Sequence, residues 1–110
     1  MDTQEFIITA HETLEGVERA IEQLALDGVE TYPIEAGLRL IFDDGAEISL
    51  VSDTQDQQIE LRGTQEPVAF YYDSTEEQWY ARDSERPLPE VLGTTLGHRL
   101  ARPVQFDDLI

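Results

Sequence analysis

The residues best equipped for chemistry in this 110-residue chain are carboxylates, and their spacing is the first clue to what they do. Glu15, Glu18 and Glu22 follow one another at intervals of three and four, and His11 lies four residues ahead of the first. On a helix turning about 100° per residue, these four side chains fall within an arc of about 60°. Hard oxygen donors with one imidazole suit Fe2+, Fe3+, Mn2+, Ca2+ or Mg2+ and hold such ions weakly and exchangeably. Neighbouring carboxylates on a helix repel by a few tenths of a kcal/mol per pair, a penalty that a bound cation removes. The competing reading is a solvated helix face, on which Glu12, Glu15 and Arg19 form ordinary surface pairs and His11 is a surface histidine.

Other chemistries lack their parts. The chain has no Cys, which removes disulfides, thiolate metal sites and cysteine nucleophiles. Two His, no glycine-rich phosphate loop and no Ser/His/Asp spacing argue against nucleophilic or phosphoryl-transfer catalysis, so a non-enzymatic protein is expected. Ferroxidase-like oxidation of bound iron would be incidental to binding. Twenty-four Asp and Glu against seven basic residues, all of them Arg, give a formal net charge of −17. That disfavours nucleic acid and anionic membranes as partners and favours cations and basic proteins. An acidic, Lys-free surface is also what a salt-rich cytoplasm would select as a hydration coat. The acidic start Met1-Asp2-Thr3-Gln4-Glu5 is unlike a secretory or organellar presequence, and no run is long and apolar enough to span a membrane, so a cytoplasmic location is expected.

The carboxylates need a frame. Phe6, Ala10, Leu14, Val17, Ile21 and Leu24 recur at helical spacing, predicting an amphipathic helix over about 4–26, capped by Asp2 or Thr3 and stopped at Asp27-Gly28. The acidic arc lies roughly 100° from the centre of this apolar stripe. Beyond Gly28 the period becomes two. Alternation over 38–42 and 48–50 around Asp43-Asp44-Gly45 predicts a hairpin; further strands follow at 59–61, 68–72 and 78–82. A short first strand over 29–34 is compatible with the pattern, confined to an edge by Pro33. Pro87-Leu88-Pro89-Glu90 opens a second helix, preceded by Ser84 or Arg86, whose apolar face is Val91, Leu92, Leu96 and Leu100. One domain over 1–110 is expected. Its class is α+β, a two-layer sandwich of order α-β(5)-α with both helices on one face of an antiparallel sheet.

This order, with an acidic first helix beginning Glu5-Phe6, resembles the frataxins, and the bacterial CyaY-type members in particular. The resemblance is carried by Phe42-Asp43-Asp44-Gly45, by Gln58-Ile59, by Tyr72-Asp73 followed six residues on by Trp79, and by Leu88-Pro89-Glu90-Val91-Leu92. It implies an iron-binding accessory protein of iron–sulfur cluster assembly, with iron on an acidic ridge of the first helix and first strand. The matching positions are Glu15, Glu18, Glu22, Asp27 and Glu30, with His11 beside them. It further implies docking to a cysteine desulfurase and its scaffold partner, as iron donor or as regulator of sulfur transfer, by a monomer. One departure bears on that docking: Glu60 stands where the family carries a Trp on its open sheet face. A rival from another class is a small acidic protein-binding chaperone or inhibitor without a metal role, which would typically dimerise.

Overall fold

The first helix, α1 (Thr3–Leu24), forms where the apolar spacing predicts it, and Phe6, Ala10, Leu14, Val17, Ala20 and Ile21 are all buried. The computed structural model describes residues 1–106; the last four positions of the domain expected over 1–110 lie outside the described residues. Asp2 caps the helix, its Oδ1 accepting from the Glu5 N–H at 2.8 Å. The end comes earlier than expected. Ala25 takes the left-handed conformation at φ 49° and donates its N–H to the Glu22 carbonyl, so Leu24 is left 37% exposed instead of completing the stripe. Gly28, at φ 92°, turns the chain into the sheet.

The Glu5 N–H bond to Asp2 holds the Asp2 carboxyl below its ordinary value. The cap's contribution is therefore complete above the unfolded-state pKa and is lost as pH falls through the lowered folded-state one. Thermal melts should show Asp2→Ala less stable than the parent at neutral pH, with the gap closing in acid. A gap independent of pH would mean that the charge of Asp2 plays no part.

Six antiparallel strands follow as a simple meander: β1 (Val29–Ile34), β2 (Gly37–Phe42), β3 (Glu47–Asp53), β4 (Gln58–Arg62), β5 (Val68–Asp73) and β6 (Gln78–Ala81). The sheet thus has one strand more than the five expected, because Val29–Ile34 pairs with β2 along its whole length, from Val29 opposite Phe42 to Ile34 opposite Gly37. It is an edge strand, which is where Pro33 is tolerated. Alternation sends Leu38, Leu40, Phe42, Ile48, Leu50, Ile59, Leu61, Phe70, Trp79 and Ala81 to one face, where all are buried. The turn after β2 closes through Gly45 N–H to the Phe42 carbonyl at 2.9 Å, with Asp44 Oδ1 accepting from Ala46 N–H at 2.9 Å.

The second helix, α2 (Leu88–Leu100), starts at Pro87 with no side-chain cap, so neither Ser84 nor Arg86 serves as one. Pro87 is already extended, and Pro89 fits a first turn whose N–H groups have no helical partner. Leu88, Leu92 and Leu96 are fully buried and join the α1 stripe and the inner sheet face in one core. Both helices therefore cover the same face, as their apolar stripes require. Behind α2 the segment Arg102–Phe106 runs close to the helix backbone: a Cβ on Gly93 would stand 2.7 Å from the Val104 carbonyl oxygen.

Candidate functional site

The acidic strip lies where α1 faces away from the core. His11, Glu15 and Glu22 are exposed and Glu18 is half-buried, all on the turn-by-turn row expected from their spacing. His11 Nε2 stands 3.4 Å from Glu15 Oε1, an ion pair when the imidazole is protonated. The fold then distributes five of the six sequence-derived candidates over two grooves. His11, Glu15 and Glu18 line one of about 400 Å³ between α1 and the turn joining β1 to β2, with Ile7, Leu14, Pro33 and Ile34 as its apolar wall. Glu22 and Glu30 line another of about 350 Å³, between the end of α1 and the β1 edge, together with Ile21, Leu26 and Tyr32. Asp27 is exposed in the connection between the two elements.

The sheet explains why Glu30 can join residues on a helix. β1 is the edge nearest the end of α1; Val29 points into the core, and Glu30, opposite Ile41 and turned to the other sheet face, meets the Glu22 groove from the rim of that edge. Tyr32, two residues further along the same strand face, donates its hydroxyl to the Glu30 carboxylate. That bond and the carboxylate's charge push the Tyr32 phenol above its ordinary value. Tyr32 was missed by sequence reasoning. The signal was present as an i,i+2 acid–phenol pair, but it has meaning only once 29–34 is a strand.

Among the described residues, no three His, Asp or Glu side chains converge as a ready-made metal-binding group. The chemistry available is that of an open surface: pairs of oxygen donors on two walls, carrying negative charge without enclosing an ion. Such a surface can hold hard cations loosely and exchange them readily.

The sheet face away from the helices is open. Glu60 lies there between Val51 and Ala69, its Oε1 accepting from Arg62 Nε at 2.9 Å. Tyr71 pairs with Tyr80 at 6.2 Å between ring centroids, and the Arg82 guanidinium stands 5.7 Å over the Tyr71 ring. Trp79 and Tyr72 pack on the inner side, with Trp79 only 3% exposed. His98 is exposed in the last turn of α2, where its charged form suits the helix dipole. No helix among the described residues is long and apolar enough to cross a membrane.

Two helices on one face of a six-strand antiparallel meander, with carboxylates along the first helix and the adjoining edge strand, define an α+β sandwich with an acidic flank. The sequence model of the frataxin-like domain (Frataxin_Cyay) matches residues 1–102, so the chain belongs to the frataxin-like family. A solved structure sharing the fold is the frataxin from Psychromonas ingrahamii, of the CyaY family. It is 19% identical, with a TM-score of 0.89 over 98% of this chain and 100% of that one. No curated protein matches this chain in sequence.

Proposed function

We propose that this chain is an iron-binding accessory protein of iron–sulfur cluster assembly. It takes Fe2+ or Fe3+ as weakly held cargo along α1 and β1, and acts as iron donor to, or regulator of, a cysteine desulfurase and its scaffold partner. The observation that carries this reading is the coincidence of frataxin-like membership over 1–102 with an outward acidic strip on α1, continued by Glu22 and Glu30 across one groove. Glu15, Glu18 and Glu22 are the donors on the helix, Glu30 is the donor on the strand, and Asp27 and His11 stand at the margins. Every one is solvent-accessible, which favours fast exchange over retention. The role is that of a carrier or modulator without a reaction of its own. On the open sheet face, Glu60 in place of an aromatic anchor calls for a partner that sets basic residues opposite it.

The test is an NMR titration with Fe2+ at physiological salt. Perturbations are expected to concentrate on α1 and β1; a spread over acidic residues throughout the chain would defeat the assignment. Combined Glu15→Gln, Glu18→Gln and Glu22→Gln should abolish the response while the protein stays folded. The same variant should gain a few tenths of a kcal/mol per relieved carboxylate pair in urea unfolding.

A further inference from the structure

We propose that the Asp27-Gly28 step is a site of spontaneous isoaspartate formation in the folded protein, and that the product loosens the seam between β1 and the turn after β2. The chain has two Asp-Gly steps, Asp27-Gly28 and Asp44-Gly45. At such a step the glycine nitrogen can attack the aspartyl Cγ, because no Cβ crowds its approach and the glycine backbone adapts to the ring. The new C–N bond closes a succinimide, and the carboxyl oxygen leaves as water. Water then reopens the ring. Cleavage of the new bond restores aspartate; cleavage of the original peptide bond leaves the main chain running through Cγ, lengthened by a methylene, with the former carbonyl carbon as the free carboxylate. The water lost is regained, no oxidant is needed, and mass and charge are unchanged.

The fold guards one step and leaves the other open. At Asp44-Gly45 the Gly45 N–H donates to the Phe42 carbonyl at 2.9 Å, and Asp44 Oδ1 accepts from the Ala46 N–H at 2.9 Å. Nucleophile and carboxylate are thus each committed elsewhere, in an Asx arrangement that fixes the turn. Arg99 Nη1 stands a further 3.9 Å from Asp44 Oδ2. At Asp27-Gly28 the Asp27 side chain is exposed, and among the described residues it pairs with no Arg or His. The Gly28 N–H has no backbone partner among them either. The step lies between the left-handed cap at Ala25 and the first residue of β1, so neither the helix nor the strand ladder holds it in place. The Gly28 carbonyl, by contrast, accepts from the Asp43 N–H at 3.1 Å, which ties the start of β1 to the turn after β2. A methylene added just ahead of that carbonyl displaces it, so this bond is the first that the product weakens.

The experiment is prolonged warm incubation of the metal-free chain at neutral pH, with one arm native and one in guanidinium chloride. Trypsin then separates the two steps, because the chain lacks Lys and its Arg19, Arg39 and Arg62 bound the peptides Ala20–Arg39 and Leu40–Arg62. Electron-transfer fragmentation distinguishes isoaspartate from aspartate at each position. In the native arm isoaspartate should accumulate several-fold faster at Asp27 than at Asp44. In the denatured arm the two rates should converge, since both steps then have the same Asp-Gly chemistry and no fold to guard either. Native rates that are equal, a faster rate at Asp44, or a difference that persists in denaturant would each overturn the assignment. The consequence is read by NMR amide exchange on the modified fraction, separated from the parent chromatographically. The Asp43 amide should exchange several-fold faster than in fresh protein; an unchanged rate would overturn the predicted loosening of the seam. A chelator is present throughout, so these readouts stand or fall separately from the iron titration.

Discussion

Replacing Trp79 by alanine is expected to lower the unfolding free energy by about 3–5 kcal/mol, the range for deleting a large buried aromatic. Trp79 lies between the two layers at the β6 end of the sheet. Its ring meets Phe6 of α1 edge-on at 6.0 Å and Tyr72 of β5 at 5.2 Å, so its loss opens a cavity shared by helix and sheet. Its Nε1–H also donates to Thr13 Oγ1 at 2.8 Å, and that hydroxyl in turn donates to the Thr9 carbonyl at 2.8 Å. Trp79→Phe separates the two contributions: it keeps most of the ring packing and removes the indole donor, and should cost about 1–2 kcal/mol. Urea unfolding of both variants checks this. Equal losses would show that the indole hydrogen bond, not the packing, fixes α1 on the sheet.

Gly63→Ala is expected to be the most damaging of the small substitutions, at about 2–4 kcal/mol, because backbone strain and overpacking coincide there. Gly63 follows β4 at φ 90°, a conformation L-residues rarely adopt. A Cβ at this position would stand 2.5 Å from the Glu47 carbonyl oxygen and 3.0 Å from the Ile48 Cα, both backbone atoms of β3 that cannot yield without shifting the strand. Gly45→Ala is the matched control: its φ is 87°, yet nothing lies within 4 Å of the added Cβ. The control should carry the conformational cost alone, about 1 kcal/mol. Comparable losses at the two positions in thermal or urea unfolding would remove the steric part of the argument.

Both predictions show how unevenly the fold is written along the chain. The α1 stripe and the inner-facing alternation of β2 to β6 are local patterns, and local patterns survive being read without a partner. The β1 strand is different: VETYPI has one buried side chain, Val29, and a proline, so only its pairing with β2 makes it a strand. The stop of α1 was misplaced for a related reason. Gly28 is the residue sequence chemistry favours for a left-handed cap, but closing against the sheet places that conformation at Ala25 as well.

The candidate site divides along the same line. The common face of His11, Glu15, Glu18 and Glu22 follows from helical periodicity, because a single element of known pitch sets their directions. The neighbourhood of Glu22 and Glu30, the bond from Tyr32 to Glu30, and the separation of the strip into two grooves belong to the packing of α1 against the β1 edge. Sequence alone thus determined which residues share a face within each helix or strand, since backbone geometry repeats with a fixed period. Which faces of different elements meet was decided by the tertiary structure, since that depends on how the apolar stripes of both helices are buried on one sheet and where the edge strand then comes to lie.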